Sequence, residues 1–221
     1  MSYEVPLNGI ILSGQPIGEY DKRLVILTKE RGKISCFARG ARKQNSPLIG
    51  NTRSFAFGTF YVYEGRNSYS LHSAQISNYF EELIMDYDAT LYACYFAEIA
   101  DYYGREGIEA KDQINLLYMA FCALTDERLD KETIKCAYEI RVIVMSGECP
   151  PPESVYPPYK GDDFLEKMFL YLSGCPMEKI FKFTLGDDSR EILKKLSESL
   201  VRKVIDKKLR SKDMLNMNKG T

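Results

Sequence analysis

Histidine is nearly missing from this chain: His72 stands alone. A Ser-His-Asp triad or a two-histidine metal site therefore has little to build on. His72 falls in a strand or its exit and reads as structural. No GxxxxGK[ST] or GxGxxG run occurs, so neither Gly-rich phosphate cradle is available. Gly104 to Gly107 reads as a helix stop, and the adjacent carboxylates Asp162-Asp163 and Asp187-Asp188 read as helix starts. There is no CxxC pair among the six scattered cysteines, which fits free thiols in a reducing cytoplasm. No apolar run approaches the roughly 20 residues of a membrane span. The N-terminus lacks the basic and long apolar regions of a signal peptide. These gaps argue against an enzyme, a cofactor or metal site and a membrane protein.

What is present is charge, unevenly spread. The net charge of −1 conceals two basic ends and an acidic middle. Residues 1–80 hold ten basic and five acidic side chains, residues 81–188 ten and twenty-two, and residues 189–221 ten and four. Such asymmetry suits a polyanion at the ends and a different partner for the middle.

One stretch organises the basic N-terminal part: Gly32 to Lys43, GKISCFARGARK. At period two, Lys33, Ser35, Phe37 and Arg39 share one face, and Ile34, Cys36 and Ala38 the other. The small apolar face can lie on a core. The other interleaves cations with an aromatic ring, a pattern suited to phosphates and the bases attached to them. Gly40 ends the strand, and Arg42 and Lys43 crowd the turn that follows.

Residues 5–76 read as β throughout. Expected strands are Val5–Leu12, Leu24–Leu27, the opening of the basic stretch, Arg53–Tyr63 and Tyr69–Ile76, with a loop over residues 43–51. Five strands in about 75 residues predict a small closed barrel. An OB-fold leads, and an SH3-like barrel stays open. From about Phe80 the apolar period becomes helical, with helices over 89–103, 111–124 and 131–146, the last stopped by Gly147. Residues 148–160, ECPPPESVYPPYK, hold five of the nine prolines and read as an extended connector. A helix follows over 162–173. A final one opens at Asp188, boxed by Glu191, and runs to about Arg210, with a frayed tail. Lys203, Lys207 and Arg210 share its outer face. The expected fold class is α+β: an N-terminal five-stranded OB-fold barrel over 1–78, then an all-α helical bundle over 79–221.

These residues resemble a known family. The barrel with its Gly18-Glu19 turn, the GKIxxxARGARK run with a following serine, Tyr138-Glu139-Ile140-Arg141 leading to Ser146-Gly147, and the closing Lys208-Leu209-Arg210-Ser211-Lys212 look like the bacterial RecO recombination mediators. The likeness covers nearly the whole chain. It departs where many members carry a four-cysteine zinc module. Here that place holds Cys149 and the prolines, and Cys149 with Cys175 are too few ligands for a structural zinc.

The resemblance implies a non-enzymatic protein of the bacterial cytoplasm, associated with the nucleoid. It would bind single- and double-stranded DNA and anneal complementary strands. Its implied partners are RecR and the C-terminal tail of single-stranded-DNA-binding protein, and it would help load RecA. The competing reading is an OB-fold adaptor for RNA or protein without annealing activity. The expected DNA-binding residues are Lys33, Phe37, Arg39, Arg42 and Lys43, with Lys203, Lys207 and Arg210 extending the path. For an acidic peptide ending in a hydrophobic residue, the bundle would need local cations and an apolar groove. The expected cations are Arg128 and Arg141, with Leu117, Tyr118 and Phe121 as groove.

Overall fold

The computed structural model describes residues 3–66 and 68–218. The chain divides into two compact units, Met1–Glu81 with Ala97–Ile114, and Glu82–Phe96 with Asn115–Thr221.

The first unit is built on a closed barrel of β1 (Glu4–Ile17), β2 (Asp21–Thr28), β3 (Gly32–Ala38), β4 (Phe57–Glu64) and β5 (Tyr69–Asn78), in the order β1-β2-β3-β5-β4. β4 returns to β1, and β3 meets β5 in parallel. Only the short helix α1 (Leu48–Asn51) interrupts the β3–β4 connection. This order is that of the OB-fold and removes the SH3-like alternative. β1 is longer than the sequence pattern suggests because it serves two partners. Residues 4–10 pair with β4 and residues 9–17 with β2, with a register shift between Ile11 and Ser13. That bulge bends one strand around the barrel. β4 starts later than expected. Phe55 takes a left-handed conformation (φ 71°) and donates its N–H to the Ile11 carbonyl, so residues 53–56 turn before the strand begins. Inside, Leu7, Leu24, Ile26, Ile34, Phe60 and Val62 form a buried cluster.

In the same unit, residues 97–114 cover one end of the β2–β3 hairpin. Gly32 bridges Glu106, the Lys33 N–H donates to the Arg105 carbonyl, and the Gly107 and Ala110 N–H groups donate to Arg31 and Lys29. Glycine is required at position 32: its φ is +64°, and an added Cβ would lie 2.0 Å from the Arg105 oxygen.

The remaining helices are α2 (Glu81–Met85), α3 (Tyr87–Tyr103), α4 (Lys111–Leu124), α5 (Lys131–Ser146), α6 (Pro152–Val155), α7 (Asp163–Gly174), α8 (Asp187–Val204) and α9 (Arg210–Asn218). α5 forms where expected. Asp130 caps it by accepting from the Thr133 N–H at 2.8 Å, and Gly147 ends it in the left-handed region at φ 75°. α5 packs on α7 and α8. At its centre lies a polar network. Lys135 Nζ meets Glu132 at 3.0 Å and Glu139 at 3.4 Å, and Tyr95 and Ser197 donate their hydroxyls to Glu139.

Three helical expectations are corrected. The proline segment is not merely extended: it contains α6 and a 3-10 turn at Pro157–Tyr159. Proline is tolerated in the first turn of a helix, where its missing N–H has no partner to lose. The final helix starts at Asp187 after a Gly186 cap, and no Asp188–Glu191 box forms; Glu191 pairs with Lys195 instead. That helix also ends at Val204. Ile205 turns extended, and α9 then forms where a frayed tail was expected. The break buries Leu209 and Leu215, which a straight continuation would carry away from the core.

Candidate nucleic-acid interface

The outer face of β2–β3 is the best-defined basic surface of the first unit. Directly opposed residues on antiparallel strands share a face. Arg23 opposes Phe37, Val25 opposes Ser35 and Leu27 opposes Lys33. The alternation read from the sequence is present: Ile34, Cys36 and Ala38 are buried, while Lys33, Ser35 and Phe37 are half-buried outside.

This face has a covered end and an open end. Lys33 lies at the covered end. Its Nζ donates to the Asp101 carbonyl at 2.6 Å and pairs with the Asp101 carboxylate at 3.1 Å. Its charge is committed within the fold. At the open end lie Phe37, exposed Arg39 and the exposed turn residues Arg42 and Lys43. The turn is held in shape by β1–β2: the Gly40 N–H donates to Asp21, the Arg42 N–H to the Tyr20 carbonyl, and the Arg42 guanidinium to the Gly18 carbonyl. Lys43 Nζ stands 5.7 Å from the centre of the Tyr20 ring.

Four further residues join this end and were not singled out from sequence: Tyr20, Lys22, Arg23 and Arg53. Arg23 donates to Ser35 Oγ at 2.9 Å, which holds it beside Phe37. Lys22 donates to the carbonyl and hydroxyl of Thr52. Burial, and then repulsion from Arg42 and Arg53, lowers its pKa below the usual lysine value. Three cations are thus close enough to feel one another, and a bound anion would relieve that repulsion. Period two in β2 points to Arg23. Arg53 is adjacent only through the fold.

The other expected residues lie in the second unit. Lys203 ends α8, Lys207 stands in the break, and Arg210 opens α9, so they occupy three elements rather than one helix face. Arg128 is 87% exposed and is held in a two-pronged pair with Asp126. Arg141 is turned inward and donates to the carbonyls of Leu172, Ser173 and Cys175. Leu117 and Phe121 are fully buried core residues, and Tyr118 is half-buried. An open cleft of about 610 Å³ runs beside Tyr92, Arg128, Leu129, Lys131 and Lys194. His72 sits exposed on β5, near Tyr63 and Glu4. Among the described residues, no group of three or more His, Cys, Asp or Glu could hold a metal ion, and no helix is long and apolar enough to cross a membrane.

The class is therefore an α+β protein with an N-terminal OB-fold barrel that bears a basic, aromatic outer face. Comparison with known proteins narrows this. The family model described as "Recombination protein O N terminal" matches residues 1–80. The DNA repair protein RecO of Clostridium acetobutylicum is 28% identical across 96% of both chains. That of Clostridium kluyveri is 26% identical across 93% of this chain and 91% of its own. That of Alkaliphilus metalliredigens is 31% identical across 65% of this chain and 58% of its own. The chain belongs to the RecO family.

Proposed function

We propose that this chain acts in DNA repair and recombination as a non-enzymatic mediator in the bacterial cytoplasm and nucleoid. It binds single- and double-stranded DNA on the open end of the barrel face and anneals complementary strands. With RecR it helps load RecA. The observation that carries this reading is the grouping of Arg39, Arg42, Lys43, Lys22, Arg23 and Arg53 around Phe37 and Tyr20 on an OB-fold barrel. Cations there can neutralise successive phosphates, while the two rings offer stacking surfaces for bases.

The helical unit receives the acidic C-terminal tail of single-stranded-DNA-binding protein. Arg128 suits the terminal carboxylate better than Arg141, whose guanidinium is occupied by three carbonyls. The cleft beside Arg128 also offers Lys131 and Lys194.

Fluorescence anisotropy of a labelled single-stranded oligonucleotide across a salt series tests the DNA reading. Arg39→Glu/Arg42→Glu should weaken binding and flatten the salt slope by roughly 1.4 to 1.8, since each lost phosphate contact removes about 0.7 to 0.9. An unchanged slope in the folded variant would move the site elsewhere. A preference for RNA over DNA would favour an adaptor without annealing activity.

A further inference from the structure

The break between α8 and α9 does more than bury Leu209. Residues 201–213 carry six cations (Arg202, Lys203, Lys207, Lys208, Arg210 and Lys212) against two carboxylates, Asp206 and Asp213. On one straight helix, successive residues point about 100° apart, so these charges would be spread around the cylinder. The elbow instead leaves an open cleft of about 210 Å³. Apolar Ile205 and Leu209 line it together with Arg202, Lys207, Lys208 and Lys212. Lys208 pairs with Asp213 at 3.0 Å, a mostly exposed contact that a stronger anion can replace.

We propose that this cleft is a second phosphate-binding site, which holds one nucleic-acid strand while the barrel face holds another. The inference rests on the DNA-binding reading above and deepens it. Four cations around a partly apolar wall match a strand's two surfaces, the phosphate chain and the faces of its bases. The cleft shares no residue with the barrel site. A protein that brings complementary strands together needs two such places.

The test uses the full chain in four forms: wild type, Arg39→Glu/Arg42→Glu, Lys208→Glu/Lys212→Glu, and all four changes together. Each is titrated into a labelled oligothymidylate across a salt series. Capture of a second, differently labelled oligothymidylate is read by energy transfer. The expected result is that each pair of reversals leaves measurable binding of one strand, with the salt slope lower by about 1.4. Each pair abolishes second-strand capture. The combined variant loses more than about tenfold in affinity relative to either pair. Lys208→Arg/Lys212→Arg keeps the charges and should restore capture, which separates charge loss from misfolding. The inference is overturned if Lys208→Glu/Lys212→Glu captures the second strand with the wild-type slope. It is also overturned if the barrel reversals alone remove all binding, or if the cleft reversals affect only an acidic peptide. If the wild type binds no oligonucleotide, the DNA-binding reading itself fails, an outcome separate from these.

Discussion

Replacing Glu139 by leucine should strongly destabilise the helical unit. Glu139 is fully buried, and Lys135 is 3% exposed beside it. The carboxylate accepts from Tyr95 Oη at 2.5 Å and from Ser197 Oγ, and faces Lys135 Nζ at 3.4 Å. Glu139→Leu keeps the volume but strands two hydroxyls and leaves Lys135 with Glu132 alone. Breaking a buried pair by removing one partner costs about 3–5 kcal/mol. For a chain of this size that corresponds to a drop of roughly 6–20 °C in Tm. Burial pushes the Lys135 pKa down, but Glu139 and Glu132 outweigh it, and the net direction is up. A raised folded value means that the stabilisation is fully present below the unfolded lysine pKa and is lost only as pH rises through the folded one. The penalty should therefore be constant between about pH 6 and 9. Adding Lys135→Met should recover part of it, because no unpaired charge then remains. Urea denaturation followed by far-ultraviolet circular dichroism measures both variants. A cost below about 1 kcal/mol for Glu139→Leu would refute the reasoning, as would a double variant less stable than the single.

Four further outcomes are expected. Gly32→Ala should cost about 1–3 kcal/mol and speed amide exchange at Lys33, Gly107 and Ala110, because the new Cβ meets the Arg105 carbonyl at 2.0 Å. Iodoacetamide at mildly alkaline pH should modify exposed Cys94 and spare Cys36, whose thiol burial pushes up to about 12; mass mapping reads this. Arg141→Leu should cost about 3 kcal/mol in urea denaturation, since it strands the carbonyls of Leu172, Ser173 and Cys175. Elemental analysis of protein purified without chelator should find well under one zinc per chain.

Local pattern reached the barrel well because a strand writes its two faces into alternating residues. Gly32 to Ala38 alternate buried and half-buried along their length. α5 was equally legible, since Asp130 and Gly147 are local start and stop signals. Position 33 shows where such reading stops. Lys33 sits on the same outer face as Phe37 and looks equivalent to Arg39. Only the return of residues 97–114 shows that its ammonium is spent on Asp101. Arg141 is similar: its partners lie 31 to 34 residues away in sequence.

The end of α8 shows a different limit. Residues 201–210 contain no glycine or proline, and Lys203, Lys207 and Arg210 are spaced as one helical face. Propensity alone extends the helix through them. What ends it is burial on both sides of the break: Leu200 and Ile205 before it, Leu209 and Leu215 after it, all shielded from water. A straight helix could not keep both sets of apolar groups covered, and each large apolar side chain left in water costs about 1.5–3 kcal/mol. That exceeds the roughly 0.5–1.5 kcal/mol of a backbone hydrogen bond lost at a break. The bend is therefore a tertiary outcome, and the cationic cleft it creates follows from where the core needs its leucines.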